Sequence, residues 1–221
     1  VACQEGGLPW MASGGGTLLH LSEEGDLVSH STGMGSALVS VMLDAEGRVW
    51  SLDRDGNLWS MHPAGTSLEL EGQVGTGGLR SMWVGASQGI FAGGAGGVLA
   101  LHDGERFRKL SQGVRANLNA ITAGPSGTVW AVGASGTALR REGPDNTWVK
   151  LEGPIFGEDD LFDVFSIGQQ GTWMVGTAGT VLHLNDSSAW STTGMVTDTL
   201  YAVHGMTLES LSAGGAGGVM A

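Results

Sequence analysis

Short apolar runs alternate with glycine-rich turns along the chain, and the runs keep register with one another. A run recurs at Leu38-Val39-Ser40-Val41, Leu79-Arg80-Ser81-Met82, Leu118-Asn119-Ala120-Ile121, Leu161-Phe162-Asp163-Val164 and Leu200-Tyr201-Ala202-Val203. Nine residues after each run stands Trp50, Phe91, Trp130 or Trp173, with Ser212 in the last unit. Six residues further on comes Gly56, Gly97, Gly136, Gly179 or Gly218. Trp10 and Gly16 fit the same series and place Val1 inside a first strand. The period is about 40 residues, which is the length of a four-stranded unit.

Each unit reads as strands A to D. Strand A is the apolar run, and strand B carries the Trp/Phe anchor. A turn such as Gly133-Ala134-Ser135-Gly136 or Asp53-Arg54-Asp55-Gly56 follows, where Gly accepts the positive φ of a tight hairpin. Strand C follows at Thr17–His20, Asn57–Ser60, Val98–Leu101, Thr137–Arg140 and Thr180–His183, and strand D centres on Leu27, Leu68, Phe107, Trp148 and Trp190. The runs are too short, and too rich in Val, Thr and Trp, for helices. Apolar residues on consecutive positions imply sheets covered on both faces. The expected fold is an all-β β-propeller of six blades, each of four antiparallel strands, with the last incomplete; five or seven blades are the alternatives. A β-helix competes, but its rungs are shorter. One domain is expected over 1–221, with repeats near 1–37, 38–78, 79–117, 118–160, 161–199 and 200–221. The sixth unit would close against Val1 and leave an edge near Val219-Met220, covered by a chain extension or a partner.

Glycine makes up 40 of 221 residues without a Gly-X-Y period, and 41% of residues are apolar, which excludes collagen and disorder. The net charge of -12 disfavours nucleic acid and anionic membranes and favours cationic partners. No apolar stretch is long enough to span a bilayer. The only cysteine, Cys3, excludes an intrachain disulfide. Val1-Ala2-Cys3 matches either the end of a bacterial lipoprotein signal, with Cys3 lipidated, or a strand position of the repeat.

The stretch from Leu118-Asn119-Ala120-Ile121 through Gly127–Arg140 and Thr147–Leu151, repeated from Leu161-Phe162-Asp163-Val164-Phe165 through Gly171–Leu184 and Ala189–Thr193, resembles bacterial propellers of the BNR-like group, which include the photosystem II assembly factor type. The resemblance spans nearly the whole chain. It implies blades, and an exported protein at the periplasm or cell surface. It leaves activity open, from binding scaffolds to sialidases. The nearest match to a sialidase Asp-box, Ser51 to Trp59, has one residue too many and reads as an Asp-Gly hairpin. A sialidase also needs an arginine cluster and a tyrosine nucleophile. Tyr201 is the only tyrosine, and only Arg80 and Arg115 fall near strand D to strand A connections.

The longest such connection, Gly153–Asp160, gathers Glu158, Asp159 and Asp160 and is followed by Asp163. Clustered carboxylates suit a cationic ligand, Ca²⁺ or an acid–base pair, as well as a plain solvated loop. His20 and His183 share one repeat position with Arg140, so they face different blades and build no metal site. The sequence therefore points to a non-catalytic binding scaffold for a protein, peptide or glycan, without a cofactor unless Ca²⁺ binds. Its candidate contacts are Glu158, Asp159, Asp160, Asp163, Arg80, Arg115 and Asn117. The alternatives are a glycan hydrolase or lyase of sialidase-like type using the acidic loop, and a lectin with one aromatic-lined sugar site per blade.

Overall fold

A computed structural model describes residues 1–2, 7–75, 77–85, 89–110, 113–124, 127–142, 147–152, 157–167, 171–184, 190–192, 196–205 and 210–218. They form two compact units, Val1–Ser111 and Gln112–Ala221. Cys3, Gly153–Phe156 and Val219–Ala221 lie outside the described residues.

The first unit holds three antiparallel sheets whose strands are paired in chain order. They are β1 (Trp10–Ala12), β2 (Thr17–Leu21) and β3 (Leu27–Ser31); β4 (Leu38–Leu43), β5 (Val49–Asp53), β6 (Asn57–Met61) and β7 (Glu69–Gln73); and β8 (Leu79–Gly85), β9 (Gly89–Gly94), β10 (Leu99–His102) and β11 (Phe107–Leu110). An isolated bridge from Ala2 to Trp10 takes the strand A place of the first sheet. The second unit holds β12 (Leu118–Ala123), β13 (Val129–Gly133), β14 (Ala138–Glu142) and β15 (Thr147–Lys150); β16 (Leu161–Ile167), β17 (Gly171–Gly176), β18 (Val181–Leu184) and β19 (Trp190–Thr192); and the pair β20 (Leu200–His204) and β21 (Ser212–Gly215). Among the described residues no helix is long and apolar enough to cross a membrane.

The core lies between consecutive sheets. Trp50, Leu52 and Leu58 pack on Leu79, Met82, Ile90 and Phe107 of the next sheet, while Val49, Trp59 and Met61 face Leu18 of the sheet before. All of β5 and β6 is therefore buried, as the consecutive apolar positions require. Trp130, Val132 and Ala138 likewise meet Leu161, Val164, Met174 and Leu182, and Val175 meets Leu200, Val203 and Ala213. Each fully buried leucine contributes about 1.5–3 kcal/mol by leaving water.

The turns between strands B and C are two-residue hairpins. Val98 N–H donates to Ala95 O across Gly96 and Gly97, with φ of 62° and 71°. Thr180 does the same to Thr177, across Ala178 and Gly179. Two consecutive positive φ values define the type I′ turn, whose twist matches that of the strands it joins. Blade two differs. Asp53 sits fully buried where four other blades place Gly94, Gly133, Gly176 and Gly215. Its carboxylate accepts from Asp55 N, Asn57 N, Asn57 Nδ2 and the Trp59 indole, which fits the Asp-Gly hairpin reading of Ser51–Trp59.

Strand D of the first sheet departs from expectation. Leu27 is 59% exposed, and its neighbours Val28 and His30 take the inner face. Shifting the register by one residue exchanges the faces of a strand. Leu68 precedes β7 and packs from the connection, on the core beside Trp59.

Candidate functional site

Within the second unit β12, β16 and β20 lie side by side. Their large buried residues are three apart, Leu118 and Ile121, Leu161 and Val164, Leu200 and Val203, with Ala120 buried as well in β12. A regular strand returns to one face after two residues, so a spacing of three requires an inserted residue. The pairing registers show it. Leu161 opposes Gly176 and Asp163 opposes Val175, with Phe162 left over; Asn119 and Tyr201 are skipped in the same way. Val39 and Arg80 hold this place in β4 and β8 of the first unit. A β-bulge re-aims the side chain that it carries.

In β16 and β20 the bulged side chains form an aromatic pair. The rings of Phe162 and Tyr201 meet edge to face with centroids 5.2 Å apart, and Tyr201 is 55% exposed. Asn119 instead bonds the neighbouring strand, its Nδ2 donating to Leu161 O at 2.8 Å.

The carboxylates singled out from the sequence are largely committed to the fold. Asp159 accepts from the Thr177 and Thr180 hydroxyls at 3.0 and 3.2 Å. Asp160 accepts from Ser135 N through its side chain and from Thr177 N through its carbonyl. Asp163 joins two blades by accepting from Val164 N and Val203 N, both at 2.9 Å. Burial pushes its carboxyl up, against the pull of those N–H groups and of His204. Glu158 is exposed beside them. Among the described residues no three His, Cys, Asp or Glu side chains converge as metal ligands, so the Ca²⁺ alternative gains no geometry. Asn117 holds the Ala134 N–H on its carbonyl, and Arg115 is exposed just before β12. Arg80 belongs to the first unit and is exposed on β8.

The histidines of the shared repeat position stack on the strand B anchors, His20 on Trp10 at 4.2 Å and His183 on Trp173 at 4.0 Å. Arg140 places its guanidinium 5.8 Å from the Trp130 ring centre. These are cross-strand pairs, which stabilise the sheets they belong to.

No family model and no curated protein sequence matches the chain. Solved structures are similar to it in fold. YCF48 bound to a D1 peptide shares 16% identity over 100% of this chain and 74% of its own, with a TM-score of 0.79. Virginiamycin B lyase from Staphylococcus aureus shares 10% over 99% and 81%, with a TM-score of 0.81. The extracellular domain of a two-component system from B. thetaiotaomicron shares 13% over 97% of this chain and 30% of its own, with a TM-score of 0.75. The chain thus has the all-β propeller fold, with about six blades. The expected resemblance to the photosystem II assembly factor type holds for the fold.

Proposed function

We propose that the chain is a non-catalytic binding module that holds a peptide segment of a partner protein at the bulged starts of β16 and β20. The observation that carries this is the Phe162–Tyr201 pair, in which an exposed Tyr201 ring meets a half-buried Phe162. Large rigid rings supply contact area at low entropic cost and recur as binding hot spots. No other hydrogen-bond partner competes for the Tyr201 hydroxyl among the described residues, so it can serve a peptide carbonyl.

Two further points support the reading. Asp159, Asp160 and Asp163, which an acid–base pair would draw on, are engaged in hydrogen bonds that hold turns and strands. A structural neighbour, YCF48, binds a D1 peptide on the same fold. We place the protein outside the cytoplasm, at the periplasm or cell surface, in line with the extracellular propeller of similar fold.

An array of random synthetic peptides, followed by calorimetry on the hits, tests the proposal. Phe162→Ala and Tyr201→Ala are each expected to weaken peptide binding by about tenfold to thirtyfold, the equivalent of about 1.5–2 kcal/mol. Their circular dichroism should match the parent. Wild-type affinity in both variants refutes the proposed site.

A further inference from the structure

A second candidate site lies in the first unit. A cleft of about 320 Å³ opens between β5–β7 and β8–β11, bounded by Arg48, Trp50, Glu71, Ile90, His102 and Asp103. Four carboxylates line it: Asp44, Glu46, Glu71 and Asp103. They differ in how much capacity is left. Asp44 is spent on Glu46 N, Arg48 N and the Trp50 indole. Asp103 is spent on Glu105 N, Arg106 N and the Arg108 guanidinium, which hold its carboxyl down to about 2. Glu71 takes both Arg48 and Ser60 on Oε1, which leaves Oε2 open. Among the described residues the Glu46 carboxylate has no partner.

His102 is the independent observation. Its side chain is 6% exposed yet lines the cleft. Gly104 N–H donates to Nδ1 at 3.3 Å, which assigns the ring proton to Nε2. No described residue accepts from Nε2–H. This donor opens on the cleft, where an incoming carbonyl can accept it. The cleft also contains a guide to its own chemistry: the Arg48 guanidinium sits 5.3 Å from the Trp50 ring centre and 3.1 Å from Glu71.

We propose that this cleft is a distinct binding site for an arginine residue of a partner peptide, with the guanidinium on Glu46 and the open oxygen of Glu71 and the peptide carbonyl on His102. The planar guanidinium carries five donors and can serve two carboxylates at once, whereas an ammonium acts as a point charge.

The test is calorimetric titration of the full chain with three probes: Nα-acetyl-arginine N-methylamide, its neutral citrulline counterpart and methylguanidinium. The arginine amide should bind one per chain and at least tenfold more tightly than the citrulline amide. It should also bind more tightly than methylguanidinium, which lacks the carbonyl. Glu46→Gln should weaken the arginine amide at least threefold, while Glu24→Gln, an exposed acid remote in sequence, should leave it unchanged. His102→Phe should erase the preference for the amide over methylguanidinium. Equal binding of arginine and citrulline amides, no binding of either, or equal loss in Glu46→Gln and Glu24→Gln overturns the site. A preference for the amide that survives His102→Phe overturns the peptide as its source. All of these readouts are independent of Phe162 and Tyr201, so failure here is distinguishable from failure of the proposed peptide site.

Discussion

Gly176 ends β17 with its backbone pressed against the start of the same blade. A methyl group added there would clash with Asp160 O, and at the equivalent Gly133 with Asn117 O. The reason is a contact repeated in successive blades. The carbonyl just before strand A accepts from the first turn residue after strand B, as in Ala95 N to Gly78 O, Ala134 N to Asn117 O, Thr177 N to Asp160 O and Ala216 N to Thr199 O. Gly176→Ala should therefore lower stability by about 1–3 kcal/mol, because backbone and not a flexible side chain stands in the way. Gly214→Ala is the control, since nothing lies within 4 Å of its added methyl. Denaturant melts of the two variants check the difference, and equal midpoints contradict the close approach. The glycine series was legible in the sequence as turn chemistry. Its second use, close approach of two segments distant along the chain, was not.

Strand A shows how much a repeat discloses about its elements. The Leu-x-x-Val spacing, three where a strand demands two, signals the bulge that carries Phe162 and Tyr201, but along the chain the run reads as a plain strand. The acidic connection drew attention by its charge, yet its carboxylates serve neighbouring turns. Charge is visible along the chain, but the hydrogen bonds that spend it depend on which turn folds against it. Strand C of the first sheet carries a second consequence. His20 stacks on both Trp10 and His30, which also meet each other, with its Nδ1 3.2 Å from His30 Nε2. Burial and the His30 charge hold its pKa below the usual 6.5. The unfolded chain then takes up this proton first as pH falls below 6.5, so stability should drop from there to the lowered pKa and level off beneath it. Thermal melts across this window should show the drop, and His20→Phe should reduce it. An identical pH profile in both proteins rules out this role.

Across the whole molecule the blades repeat while the bulged side chains do not: Val39, Arg80, Asn119, Phe162 and Tyr201 are five different residues. A peptide that recognises the aromatic pair should therefore bind once per chain in calorimetry. Several equivalent sites would instead favour the lectin alternative. The same heterogeneity explains why a fold can be shared at 10–16% identity with a lyase and with a peptide-binding protein. Blade packing asks only for apolar volume at fixed places, whereas binding depends on the few positions that packing leaves unused.

The chain by itself determined the strand order, the anchors Trp50, Phe91, Trp130 and Trp173, and the type of turn at Gly97 and Gly179. Each follows from local backbone preference or from a period that recurs every blade. Tertiary structure alone decided that Glu71 meets Arg48 and which aromatic rings meet outside the core. Those contacts join different strands or blades, and a pattern along the chain holds no distances between such residues.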